Sequence, residues 1–361
     1  NVLLLIVDDW GTDSSPIDNN TTLNPGTTFP TMANLQSLAA NGLRFTNAYS
    51  QPVCSPTRAA LLTGRQAFRT GVGAPGDAIN VAETTLPDAF SADNSPFEIA
   101  TYGKWHLGGG DTGYNTLGGW QEFIGITAGG VTDYENWNRN NNGTSANSTL
   151  YSTTDQVNEA KAFIDTQETA GKNWFVWMGF NAPHTPFHEP PAALLQGKTG
   201  TSNRALYEKS LEALDTEIGR LLQSVDYANT TVILVGDNGT PGQVVQAPYG
   251  NGHAKDDLYE GGIHVPMIVR GPSVKVPAGS TTDKFVHVTD LFPTVLELAG
   301  VADPTTGVDG ASIVPILNGT DTTQRLVVAE KIGTESGRSL RSEAYPDYKL
   351  IIMGDPISST D

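Results

Sequence analysis

Cys54 is the only cysteine of the chain. It stands in the stretch Gln51-Pro52-Val53-Cys54-Ser55-Pro56-Thr57-Arg58, which runs on through Leu61-Leu62-Thr63-Gly64-Arg65. Pro56 suits the first turn of a helix, where a missing N–H costs nothing, and Gly64 suits its close two turns later. The spacing therefore puts Cys54 just ahead of a helix N-terminus, where free N–H groups and the macrodipole favour negative charge. Arg58 follows about one turn on and can lean back over the same spot. Such surroundings prime a thiol for chemistry. The plainer reading of a lone cysteine is a small buried hydrophobe.

Other chemistry-bearing residues stand at the ends of apolar runs. Val2 to Val7 ends in Asp8-Asp9, a pair of carboxylates suited to a cation, or simply to opening a surface turn. Ile99 to Tyr102 leads into Gly103-Lys104-Trp105-His106. On an extended segment, Lys104 and His106 would project to the same side. Trp174 to Phe180 leads into Asn181-Ala182-Pro183-His184, and Thr231 to Val235 into Gly236-Asp237-Asn238. His184 and His188 have a spacing that binds zinc on a helix, but Pro186 between them speaks against a helix there. Gly71-Val72-Gly73-Ala74-Pro75-Gly76 matches the dinucleotide fingerprint only formally, because it follows a predicted helix and contains a proline.

The elements that must position these groups read as an α/β domain. Continuous apolar runs such as Val2 to Val7 suit parallel strands covered on both faces, and ligands of open α/β sheets sit outside the strands' carboxyl ends. Amphipathic helices are expected over Thr31 to Asn41, Thr154 to Gln167, Asn203 to Val225 and Thr289 to Gly300. The Gly-, Asn-, Thr- and Ser-rich residues 128–149, with Tyr134 and Trp137 among them, read as a long irregular loop that can shape access to a site. After Leu317 the pattern turns to short strand-like pieces.

Taken together, the blocks carry a resemblance. Cys54-Ser55-Pro56-Thr57-Arg58 with Leu61-Leu62-Thr63-Gly64-Arg65 resembles the signature of the type I sulfatases of the alkaline phosphatase superfamily. Gly103-Lys104-Trp105-His106-Leu107-Gly108, Pro183-His184-Thr185-Pro186 and Lys255 followed by Tyr259-Glu260-Gly261-Gly262 are similar to further blocks of that family, in the same order. The resemblance implies a mostly parallel central sheet flanked by helices, with a small, abbreviated C-terminal antiparallel subdomain. It divides the chain into a catalytic domain over 1–320 and the start of the smaller part over 321–361. It implies that Cys54 is oxidised by a formylglycine-generating enzyme, giving an aldehyde whose hydrate is the nucleophile. Asp8, Asp9, Asp237 and Asn238 become the ligands of a hard cation, Ca2+ with Mg2+ as the alternative, since they offer only oxygen. Arg58, Lys104 and Lys255 become electrostatic stabilisers. His184, with Lys255, becomes the acid that protonates the leaving alcohol, and His106 the base that takes the second hydroxyl proton, so that sulfate leaves by C–O cleavage. The family usually shows Arg where His264 stands here, a position read as structural.

The reading so implied is a sulfuric ester hydrolase acting on an aryl sulfate or a sulfated carbohydrate. Two alternatives stand beside it: a phosphomonoester, phosphodiester or phosphonate hydrolase on the same scaffold, and a non-catalytic binder of sulfated ligands if Cys54 stays a thiol. A net charge of −18 over 361 residues speaks against nucleic acid or an anionic membrane as partner, and against long polyanionic glycans unless a local basic pocket overrides it. No apolar run reaches the length of a membrane span. The chain opens inside an apparent strand without Met, so a processed N-terminus and a periplasmic or secreted location are expected. Asn-x-Thr triplets at Asn20, Asn142, Asn147, Asn229 and Asn318 carry little weight in so Asn- and Thr-rich a sequence.

Overall fold

A computed structural model describes residues 1–18, 22, 24–303, 307–333 and 335–354; the Asn20 triplet and the chain after Gly354 lie outside these residues. Thirteen strands are present among them. In chain order they are β1 (Val2–Val7), β2 (Leu43–Tyr49), β3 (Glu98–Lys104), β4 (Phe123–Ile126), β5 (Trp137–Asn141), β6 (Thr144–Ser148), β7 (Trp174–Gly179), β8 (Thr231–Gly236), β9 (Met267–Arg270), β10 (Ser280–His287), β11 (Leu326–Lys331), β12 (Gly337–Ser342) and β13 (Lys349–Met353). The first ten form one sheet in the order β10-β2-β9-β8-β1-β7-β3-β4-β5-β6, and the last three a separate antiparallel sheet.

The centre of the large sheet is a parallel block. β1 pairs with β7 on one side and β8 on the other, β3 extends the block beyond β7, and β4 beyond β3. Every residue of β1 is buried, because both faces are covered. Val2, Leu4 and Ile6 point into one hydrophobic layer, and Leu3, Leu5 and Val7 into the other. The period-2 alternation of a strand accounts for the split, and each such side chain contributes about 1.5–3 kcal/mol by leaving water. The first layer is closed by α2 (Cys54–Thr63) with the helices Leu86–Ala92 and Leu291–Ala299. The second is closed by α1 (Ala33–Ala40) with the helices Ser152–Ala170 and Asn203–Leu222.

Because β1, β3, β7 and β8 run the same way, their carboxyl ends share one edge of the sheet. β9 is antiparallel to β8, and β2 antiparallel to β9, so β2 runs with the central block. Its end at Tyr49 therefore delivers Ser50 to Cys54 to that same edge. This topology, rather than closeness in sequence, gathers the functional groups.

Two details differ from the sequence reading. Residues 128–149 are not a wholly irregular loop: β5 and β6 form an antiparallel hairpin that continues the sheet beyond β4. Its turn is Asn142-Gly143, both at positive φ, a strong hairpin signal despite the low strand propensity of the flanking Asn, Thr and Ser. In addition, Cys54 is the first residue of α2 instead of standing ahead of it, with Val53 at the N-cap. Gly64 closes α2 in the left-handed conformation at φ 68° as expected. Gly71 to Gly76 follows a short helix in place of a strand, and the next helix begins only at Leu86, so the strand–turn–helix context of the dinucleotide fingerprint is not met.

Candidate active site

Asp8 and Asp9 leave the end of β1 and turn sharply, Asp9 adopting φ 57°. The Asp9 N–H donates to Asp237 Oδ1 at 3.0 Å, tying the β1 exit to the β8 exit. The Tyr207 hydroxyl donates to the Asp9 carbonyl at 2.8 Å and fixes the same turn from the helix behind. Asn238 Nδ2 donates to Asp9 Oδ1 at 2.8 Å, while Asn238 Oδ1 is buried without a partner. All four residues are buried.

Cys54 stands against this cluster. Its Sγ lies 3.3 Å from Asp8 Oδ1 and 3.9 Å from Asp9 Oδ1, and Lys255 Nζ approaches it to 3.6 Å. One ligand atom from each of Asp8, Asp9, Cys54 and Asp237 falls within 4.8 Å of all the others. The acids are balanced by three cations: Lys104 Nζ at 2.7 Å from Asp8 Oδ2, Lys255 Nζ at 2.5 Å from Asp9 Oδ1, and Arg58 Nη2 at 3.1 Å from Asp237 Oδ2. Arg58 Nη1 also donates to the Lys104 carbonyl at 2.6 Å. The guanidinium passes over Gly179, where a Cβ would come within 2.7 Å of Nη1, so glycine is required there. Lys104 and Arg58 are fully buried and turned towards the carboxylates, whereas Lys255 and His184 line an open cleft.

The electrostatics follow from burial and these pairings. Burial opposes ionisation of Asp8, but Lys104, with His184, Arg58 and Lys255, outweighs it and holds the carboxyl well below the usual range. Asp237 is pushed up to about 7 by burial and by repulsion from Asp8, with Arg58 and Lys104 only partly offsetting them. The Cys54 thiol is pushed far up by burial and then by Asp8, against the pull of Lys104 and Lys255. This corrects the expectation of a primed thiol: the helix start is present, but desolvation and the facing carboxylate keep the sulfur protonated.

His184 follows β7. Its Nδ1 donates to the Thr185 carbonyl at 2.8 Å, which leaves Nε2 facing Asp9 Oδ2 at 3.8 Å. Tyr134 holds this loop from below, its hydroxyl 2.8 Å from the carbonyls of both Asn181 and His184. Sequence reasoning gave Tyr134 no position; its one visible signal was an aromatic residue within a Gly- and Asn-rich segment. His106 lies beyond the end of β3 at φ 57°, so the simple strand alternation linking it to Lys104 does not hold. Its carbonyl accepts from Ser55 Oγ at 2.8 Å, and Ser55 Oγ accepts from the Gly76 N–H at 2.9 Å, locking the His106 turn to α2. Burial, then Lys104 and Arg58, push the His106 imidazole down to about 3, and its Nδ1 has no hydrogen-bond partner.

Two further histidines are engaged in packing and hydrogen bonds. His188 stacks on Tyr134 at 3.9 Å and meets the Tyr151 hydroxyl at 3.0 Å, turned to packing instead of a metal. His264 donates through Nε2 to the Thr46 carbonyl at 2.9 Å and stacks on Tyr49.

Three buried carboxylates, an amide oxygen lacking a partner and a cysteine thus meet at one edge of an open α/β sheet, a group that could hold a metal ion. A family model described as Sulfatase matches residues 1–301, and the chain belongs to that family. It is 30% identical over 367 residues to the N-acetylgalactosamine-6-sulfatase of Canis lupus familiaris, covering 90% of this chain and 67% of that protein. Across three curated relatives it spans 56% to 67% of their length. Among solved structures, that of Ps i-CgsB superposes with a TM-score of 0.80 at 23% identity, over 98% of this chain and 85% of that one. The phosphonate monoester hydrolase SpPMH from Silicibacter pomeroyi superposes with 0.69 at 18% identity, over 98% and 87%. The shared fold by itself therefore does not distinguish sulfate from phosphonate esters.

Proposed function

We propose that this chain hydrolyses sulfate monoesters, of an aryl alcohol or of a carbohydrate, with residue 54 supplying the nucleophile. The observation that carries the reading is the convergence of Asp8, Asp9, Asp237 and Asn238 on Cys54 in a sulfatase-family chain. A cysteine thiol kept protonated by its surroundings is a poor nucleophile. Converted to formylglycine by a maturation enzyme, the same position offers a hydrated aldehyde oxygen for attack on sulfur.

The donor set fits a hard divalent cation: three carboxylates and the unpartnered Asn238 Oδ1 are all oxygen, in a buried cluster. Asp8, Asp9, Asp237 and Asn238 would hold Ca2+ or Mg2+, which when bound stabilises negative charge on the ester and nucleophile oxygens. The chain's own groups do the rest. Lys255, at the cleft, meets the sulfate oxygens, while Lys104 and Arg58 set the charge and position of Asp8 and Asp237 from behind. With its Nδ1–H committed to the Thr185 carbonyl, His184 turns Nε2 to the cleft, and the doubly protonated ring delivers its Nε2 proton to the departing alcohol. His106, whose imidazole is kept neutral by burial and then by the charges of Lys104 and Arg58, takes the proton of the second hydroxyl.

We place the catalytic part in residues 1–320 and a smaller unit from 321, and assign the protein to the periplasm or the secreted fraction. No helix among the described residues is long and apolar enough to cross a membrane. The deciding experiment compares kcat/KM on matched aryl sulfate, phosphate and phosphonate esters, using protein whose Cys54 conversion has been verified by peptide mass. The sulfate ester is expected to be preferred; preference for either phosphorus ester would assign the site to the other chemistry. Full conservation of the Cys54 thiol in protein from its natural host would favour a binding role.

A further inference from the structure

The cleft above the acids encloses about 530 Å3, within the roughly 300–1,000 Å3 typical of small-ligand sites. Beyond Asp9, His184 and Lys255 its walls are Val53, Pro75 and Pro241, with Thr185, Gln243, Asn251 and Asp256. Lys255 is the only lysine or arginine among the described residues lining it, and its ammonium is already engaged with Asp9. The local basic pocket that would counter the charge of −18 is therefore not found in these walls.

Asp256 is held in place by its backbone. It adopts φ 76°, its N–H donates to the Pro52 carbonyl at 2.9 Å, and its carbonyl accepts from Lys331 Nζ at 2.7 Å. A non-glycine residue in the left-handed region with both main-chain groups committed is a fixed feature of the wall. Its side chain is 70% exposed, and Lys331, its cation, stands 3.8 Å off and is shared with Glu335 at 3.8 Å. Next to it, Asp257 faces His253 at 3.8 Å. The wall thus offers amide and hydroxyl groups for neutral hydroxyls, small apolar faces for ring carbons, and net negative charge.

We propose that the cleft selects sulfate esters of neutral polyhydroxylated alcohols, monosulfated neutral sugars, over sugars carrying a second anionic group, with Asp256 the specificity-determining charge. This rests on the sulfatase reading and narrows its substrate class. A second sulfate or a carboxylate on the sugar would face Asp256, whose cation Lys331 is shared with Glu335, and would find Lys255 already paired with Asp9. At near-surface dielectric such a like-charge approach corresponds to roughly threefold to tenfold in kcat/KM, and it is screened by salt.

The test uses the converted protein with a methyl hexoside monosulfate, the same hexoside bearing a second sulfate, and an aryl sulfate. The monosulfate is expected to exceed the disulfate by at least about threefold in kcat/KM, with the gap narrowing in high salt and in Asp256→Asn. Asparagine tolerates positive φ, so this variant keeps the wall. Calorimetric affinities of the two sugars for Cys54→Ala protein should show the same ratio without turnover. Equal or better use of the disulfate, a ratio unmoved by Asp256→Asn, or cleavage of the aryl sulfate alone overturns the inference while leaving the sulfatase reading standing. Release of sulfate from none of the three overturns that reading, and this inference with it.

Discussion

Arg58 and Asp237 form an ion pair at 3.1 Å with both side chains fully buried, joining the helix that begins at Cys54 to the end of β8. A pair this deep owes little net stability to its attraction, since both charges lost water to make it. Its consequence lies in what happens when one member is removed.

Asp237→Ala should leave the Arg58 guanidinium buried and uncompensated and cost about 3–5 kcal/mol in urea unfolding, besides weakening cation binding. Asp237→Asn keeps the volume and a hydrogen-bond acceptor, so it should cost clearly less in stability while still lowering calcium or magnesium affinity. An alanine variant as stable as the parent would show that the pair has no such role, and unchanged cation dependence in both variants would remove Asp237 from the ligand set.

Cys54→Ala should abolish turnover while changing stability by about 1–2 kcal/mol at most, since a small buried group is replaced by another. Retained activity would exclude the nucleophile role. Chelation should separately abolish activity in parent protein and lower Tm, with calcium or magnesium restoring both, because a ligand bound only by the folded state stabilises it.

The pH dependence of stability offers a test away from the active site, where His287 and Asp290 are neighbours. Burial pushes the His287 imidazole down to about 3, so between roughly pH 3 and 6.5 the unfolded chain binds a proton that the folded one refuses. Stability therefore rises with pH across that window. Burial pushes Asp290 the other way, up to about 6, against hydrogen bonds from the Ala311 and His287 N–H groups and the charge of Arg325. The folded chain then holds a proton that the unfolded one releases, so stability falls as pH rises from about 4 to 6. The two slopes, each at most about 1.4 kcal/mol per pH unit, oppose one another. Asp290→Asn should steepen the rise of stability between pH 4 and 6, and His287→Gln should turn it into a fall. Urea midpoints at several pH values measure both, and a slope that does not become more positive in Asp290→Asn, or more negative in His287→Gln, would refute the assignment.

Much of this site was legible because parallel strands buried on both faces read as unbroken apolar runs. Val2 to Val7, Trp174 to Phe180 and Thr231 to Val235 announced both their strands and the polar groups at their ends. What the sequence withheld depends on the third dimension. The hairpin Trp137–Ser148 is built from residues that favour turns, and only its Asn-Gly turn and the partner strand make it a strand pair. The state of the Cys54 thiol depends on Asp8, 46 positions away, and on burial, neither visible in the local motif. The inward turn of Arg58 requires Gly179 beneath it, a contact between α2 and β7 that no spacing encodes.

Tyr134 carries the last prediction, because it acts on the site without reaching it. Its hydroxyl has one hydrogen and serves two carbonyls, those of Asn181 and His184, both at 2.8 Å on the loop that presents the His184 ring. Tyr134→Phe keeps the ring that stacks on His188 and removes only the hydroxyl, taking this donor from the His184 carbonyl while the Asn181 carbonyl keeps the His184 N–H at 3.0 Å. Such a loss costs about 1–3 kcal/mol, part of it in stability. If the loop's position sets the reach of His184 Nε2, kcat should fall by roughly tenfold or more on a substrate with a poor leaving group. On an activated aryl sulfate, whose departing oxygen needs no proton, kcat should fall far less. A purely structural role for Tyr134 would lower both rates in parallel, and that outcome would separate the hydroxyl from the acid step.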